Sequence, residues 1–162
     1  METTNLHRLA RLGELAALRN AVESGIDVNS KDSFGATALH YAIAEKQAHS
    51  IDLLLKLGAD VAIQDADGYS ALHYAIEYNM PSVVESLLKR CPTAVSISNR
   101  HGNQPLWTAA FNARGNYEMV SMLLQCGADP KHLNNVNLSP IDIAKKKNDS
   151  EMIKLFERDI HL

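Results

Sequence analysis

TALHYAI at residues 37–43 returns as SALHYAI at residues 70–76, 33 positions further on. Asp32 and Gly35, ahead of the first copy, return as Asp65 and Gly68 at the same interval, so the repeating unit is longer than the heptapeptide. A third copy begins at Asn99 and carries Gly102, Leu106, Ala109 and Ala110, displaced by one further residue. Fainter copies lie towards both ends, with Leu6, His7, Leu9 and Ala10 at one and Pro140, Ile141 and Ala144 at the other. A period of this length signals a solenoid, in which one small unit is stacked on the next.

Each unit reads as a turn, a short helix, a tight bend, a second helix and a glycine. Thr37 is placed to cap a helix on which Leu39, Ala42 and Ile43 share one stripe. The next helix carries Ile51, Leu54 and Leu55, and Gly58 follows it with the freedom to turn left-handed. Neither stripe has a core of its own, so only stacking buries it. Ala42, Ala75, Ala109 and Ala144 recur where first helices must approach closely. Leu54, Leu55, Leu87, Leu88, Leu123, Leu124, Leu155 and Phe156 are the expected core of the second helices.

These stretches resemble the ankyrin repeat family, whose turn and first helix read T-P-L-H-x-A-A and whose second helix leads to G-A-D. Here the first pattern stands as TALHYAI, SALHYAI and QPLWTAA (residues 104–110), and the second as Gly58-Ala59-Asp60 and Gly127-Ala128-Asp129. The resemblance implies an all-α solenoid of paired antiparallel helices with projecting hairpin-like loops. It divides the chain, a single domain, into units 5–31, 32–64, 65–98, 99–133 and 134–162. It further implies that partners lie across the loops and the exposed sides of the first helices. Fold is thus specified far more sharply than function.

Departures from the pattern are informative. Cys91-Pro92-Thr93 replaces the glycine turn of the third unit, which predicts a reshaped loop. Two extra residues within Asn112–Asn116 lengthen a bend at the surface. Asn134 and Asn137 stand where aspartate and glycine are expected, ahead of Lys145-Lys146-Lys147. Those lysines read either as the polar face of an end unit or as a nucleic-acid contact.

Composition narrows the function classes. Hydrophobic residues make up 46% and charged residues 22%, which is globular rather than disordered. A net charge of -3 argues against a nucleic-acid binder working through a broad basic field. No apolar run is long enough for a membrane span, and METTNLHRLARLGE lacks the basic-then-apolar order of a secretory leader. A soluble cytoplasmic protein, monomeric when free, is therefore expected. Cys91 and Cys126 lack metal-ligand spacing and are expected to be separate thiols.

His40 and His73 repeat with their units, which places them too far apart to share a metal ion; the resemblance makes them structural, bonding between loops. Asp32, Asp60, Asp65 and Asp129 occupy turns, where carboxylates accept backbone hydrogen bonds. Ser70 and His73 belong to a capping turn, and no phosphate-binding loop occurs. No enzyme activity and no cofactor are expected.

The expected function is to bind a protein. On the face transferred from the family, the candidate contacts are Phe34, Glu45, Asp67, Tyr69, Glu77, Tyr78, Arg100, His101, Asn103, Phe111 and Asn112, and Ala36 is also placed there. Phe34, Tyr69, Tyr78 and Phe111 form an aromatic stripe if their rings are not tucked into the core. Tyr69, in the projecting loop, is expected to be the cleaner probe, because removing its ring should disturb the stack less than removal near the helix bend. The acidic middle of the stripe favours a partner with a basic patch. An inhibitor or immunity protein that occludes an enzyme fits this description; so does a small adaptor or assembly chaperone. An accessory protein for nucleic acid, using Lys145 to Lys147, is the reading from another class.

Overall fold

The computed structural model describes residues 5–159. Among them ten α-helices run in consecutive antiparallel pairs: α1 (Leu6–Leu12) with α2 (Leu15–Glu23), α3 (Ala38–Ala44) with α4 (Ala48–Lys56), and α5 (Ala71–Glu77) with α6 (Pro81–Arg90). The series continues with α7 (Pro105–Asn112) and α8 (Glu118–Gln125), then α9 (Pro140–Lys146) and α10 (Ser150–Asp159). First helices stack in order, α1 on α3, α3 on α5, α5 on α7 and α7 on α9. Their close approach rests on Ala42, Ala75, Ala109 and Ala144, all fully buried. Leu54, Leu87, Leu123 and Phe156 fill the layer beneath, while Leu155 is only partly covered.

One device builds all four projecting loops. The side-chain oxygen Oδ1 of Asp32, Asp65, Asn99 or Asn134 accepts hydrogen bonds from the backbone N–H groups two and four residues on, at 2.9 to 3.1 Å. An amide oxygen serves as well as a carboxylate here, which is why asparagine substitutes freely. The loop tips are then joined to one another. Ala66 N–H donates to the Phe34 carbonyl at 2.8 Å, Arg100 N–H to that of Asp67 at 2.9 Å, and Asn135 N–H to that of His101 at 3.0 Å. This approach requires glycine beside the joint: a Cβ at Gly68 would stand 2.8 Å from the Arg100 nitrogen, and φ there is 81°. Asn137, at φ 56°, takes the equivalent left-handed position in the last loop.

The departures from the repeat have structural counterparts. Cys91 has a negative φ of -143°, with ψ 82°, and a 3-10 turn over Pro92–Ser96 replaces the glycine turn. Ala94 and Val95 of that turn are buried, so the reshaped loop adds to the core. In Asn112–Asn116 the chain reverses through Arg114 and Gly115, both left-handed, and leaves Ala113 buried while Arg114 to Asn116 face solvent. Cys91 and Cys126 are free thiols, each half-buried. Alkylation of freshly prepared protein under denaturing conditions without reductant is expected to modify both, and an internal disulfide recovered by intact mass would contradict this arrangement.

Candidate protein-binding groove

The histidines of the repeated heptapeptide tie each unit to the next. His40 Nδ1 accepts the Thr37 backbone N–H at 3.1 Å, which leaves the proton on Nε2, and Nε2 donates to the Tyr69 carbonyl at 3.2 Å. His73 repeats the arrangement, accepting from Ser70 N–H at 3.2 Å and donating to the Asn103 carbonyl at 3.1 Å. Burial lowers the pKa of both rings, that of His73 to about 4, so each is neutral at neutral pH. Both nitrogens of each ring are committed to the scaffold.

Trp107 takes the corresponding position in α7. Its indole N–H is buried with no acceptor among the described residues, so the histidine tether is not repeated at the joint to the fifth pair. The ring instead stacks on Phe111, with centroids 5.3 Å apart, and Lys147 stands over Phe111 at 5.1 Å. Lys147 Nζ also donates to the carbonyls of Ala110 and Phe111, where the end of α7 presents unpaired acceptors. One of the three lysines is therefore engaged in holding the end unit, while Lys145 and Lys146 are exposed.

Beside the histidines, tyrosines face out of the stack. Tyr41 OH donates to Asp32 Oδ2 at 2.7 Å and Tyr74 OH to Asp65 Oδ2 at 2.9 Å, each across nine positions of sequence. Burial works to raise the Asp32 carboxyl, but the Tyr41 hydroxyl and the Ala36 and Phe34 amides outweigh it and hold the group below its ordinary value. The Tyr74 hydroxyl is pushed well up by burial and by its bond to Asp65. The bonds fix both rings as walls of a groove.

Two hollows share the residues Asp65, Asp67, Tyr74 and Tyr78. The larger, of about 390 Å³, extends over Phe34, Tyr41 and Ala44; the smaller, of about 310 Å³, extends over Tyr69 and Glu77. Of the residues expected at the binding face, Phe34, Asp67, Tyr69, Glu77 and Tyr78 are thus brought together. Phe34 is 70% exposed and Tyr78 36%. Glu45, Arg100, His101 and Phe111 are exposed but line neither hollow. Asn112 donates to Glu77 at 3.2 Å, beside the lengthened bend.

Some expectations need correction. Tyr69 does not stand free: it is half-buried, packed edge-on against His73 and Tyr74 with centroids 5.6 and 6.3 Å away. Ala36 is buried, because its N–H and carbonyl are turned into the loop. Asn103 is half-buried and works within the scaffold, its carbonyl on His73 and its Oδ1 on Asn134 Nδ2 at 2.8 Å. Asp67 is exposed but already carries a cation, the guanidinium of Arg100. Tyr41, Tyr74 and Asp65 were missed as surface residues. The signal was present in the nine-residue spacing from aspartate to tyrosine in two successive units.

A short segment of 38 residues, 24% of this chain, is 53% identical to acyl-CoA-binding domain-containing protein 2 of Arabidopsis thaliana. The match spans only 11% of that protein's length, so it compares a segment and not a whole molecule. A family model for ankyrin repeats, in three copies, matches residues 6–97 and 61–134, most of the stack just described. With the turn-helix-bend-helix unit, the histidine tethers and the joined loop tips in register across that span, the chain belongs to the ankyrin repeat family.

Proposed function

We propose that this chain is a non-catalytic binding module that holds a protein with a basic contact patch across its loops and first helices, and thereby occludes a partner enzyme as an inhibitor or immunity protein does. Ankyrin repeats are in general protein–protein interaction modules. The observation that carries the reading is the groove where exposed Phe34 and Tyr78 flank Asp65, on a scaffold fixed by loop-to-loop and histidine bonds. Rigid aromatics at a surface offer large contact area with little rotamer entropy to lose. On this reading the free chain is a monomer that acts in the cytoplasm. An adaptor role draws on a third hollow, of about 700 Å³, between α6 and α8 and lined by Leu88, Pro92, Met122 and Cys126.

Photo-crosslinking groups at Phe34 and at Lys89 separate the two faces. Capture through position 34 of an enzyme whose activity falls as the chain is added supports occlusion; capture only through position 89 overturns the surface assignment. With that partner in hand, Tyr78→Ala is expected to weaken the complex by at least about 1 kcal/mol without loss of fold. Tyr69→Ala is expected to weaken both binding and stability, so Tyr78 is the cleaner probe. Unchanged affinity in Tyr78→Ala, measured by titration calorimetry, would contradict the groove.

A further inference from the structure

The smaller hollow has a composition of its own. Three tyrosine rings, Tyr69, Tyr74 and Tyr78, meet three carboxylates, Asp65, Asp67 and Glu77, and no basic side chain lines it among the described residues. Tyr74 stands at the centre, 6.3 Å from Tyr69 at an interplanar angle of 86° and 6.2 Å from Tyr78 at 36°. Tyr69 thus stands edge-on to Tyr74 while Tyr78 is tilted against it, and the three rings form one aromatic lining. Asp65 tethers the Tyr74 hydroxyl, which stops the central ring from swinging across the opening. Asp67 is paired with Arg100, but Asp65 and Glu77 form no ion pair among the described residues, and Glu77 accepts only from the neutral amide of Asn112.

Aromatic faces are negative at their centres, and a carboxylate rim adds full charge. Such a hollow attracts a cation with an apolar stem. Asp67, at one edge of the hollow, is already paired with the guanidinium of Arg100 from the same chain, which shows that a carboxylate of this lining takes a guanidinium. Beyond Tyr78 the larger hollow turns apolar, over Phe34 and Ala44.

Resting on the binding role proposed above, we infer that the smaller hollow is a subsite for one arginine or lysine side chain of the protein partner, with a neighbouring apolar side chain of the same segment in the larger hollow. The cation lies against the Tyr74 and Tyr78 rings and is neutralised by Asp65 and Glu77. Specificity for a basic partner then comes from a single pocket, and the exposed charges elsewhere on the face contribute mainly to the rate of encounter.

The test uses the full chain with isotope-labelled tyrosine rings and a blocked arginyl-leucine amide as the probe, with the citrulline counterpart as its neutral isostere. The arginyl probe is expected to shift the ring resonances of Tyr74 and Tyr78 in a saturable way. Its dissociation constant should rise about tenfold or more for citrulline, and similarly in Tyr78→Leu. Glu77→Gln, which keeps size and fold, should weaken the arginyl probe and leave citrulline unchanged. Equal binding of the two probes, shifts confined to other tyrosines, or no shift at all would each overturn the subsite. If crosslinking through position 34 succeeds while the probes fail in this way, only the subsite falls and the binding face stands; crosslinking solely through position 89 removes both.

Discussion

Leu54→Ala is expected to lower the free energy of unfolding by about 2 to 5 kcal/mol, the range for truncating a leucine in a packed core. Leu54 is fully buried near the end of α4, and it repeats in register as Leu87 and Leu123, which are buried in the same way. The mutant loses the transfer energy of three heavy atoms and leaves a void. That void cannot close easily, because adjoining helix pairs are held at fixed spacing by Ala42, Ala75 and the joined loop tips. Urea denaturation of mutant and parent measures the loss from the midpoint and slope. A difference under about 0.5 kcal/mol, the size of an ordinary surface change, would mean that the stack is not built on this layer.

Stability is also expected to fall as the solution is acidified from pH 6.5 towards 4. The ring of His73 has an ordinary pKa of 6.5 and is depressed to about 4 by burial in the fold. The unfolded chain therefore binds a proton over this interval that the folded chain refuses. The contribution is fully present above pH 6.5 and is lost as pH drops through the folded value, amounting at most to roughly 3 kcal/mol. His40, lowered for the same reason, adds in the same direction. Asp32 and Asp142, whose folded values are lowered from 3.8, add their losses only at still lower pH, which separates the two effects. Denaturation at a series of pH values should show the slope, and His73→Gln, which keeps a donor and an acceptor in place, should flatten it. A stability that is level from pH 7 to 4.5 would contradict the neutral, doubly bonded ring.

Why the stack was legible and the groove was not follows from how each is encoded. Stacking depends on the same side chains returning at the same offset, and TALHYAI and SALHYAI display that offset directly. The Asp32 turn was readable from its residue type, and the His40 tether only through the resemblance to ankyrin repeats. Surface chemistry depends on neighbours in adjacent units. Arg100 meets Asp67 only because the Arg100 N–H seats on the Asp67 carbonyl, a one-residue offset between loops that the period alone does not reveal. Tyr74 was hidden differently: it sits inside the repeated heptapeptide, where it reads as scaffold, although it lines the groove and Asp65 holds its hydroxyl there. Tyr69 misled in the opposite sense, since a loop position gave no hint that His73 and Tyr74 would cover its ring.

Trp107 is the one tryptophan of the sequence, and it lies on α7, the helix against which the last pair is stacked. The emission of this protein is consequently a local signal from one seam of the solenoid. Its indole N–H is buried with no acceptor among the described residues, Phe111 lies flat against the ring, and lifting the last pair would expose it to solvent. In a linear array, each seam opens with its own free energy, and end units open first unless their interface is stronger than the rest. A red shift in emission that precedes the main loss of far-ultraviolet ellipticity would therefore mark fraying from this end, while the four preceding helix pairs still stand.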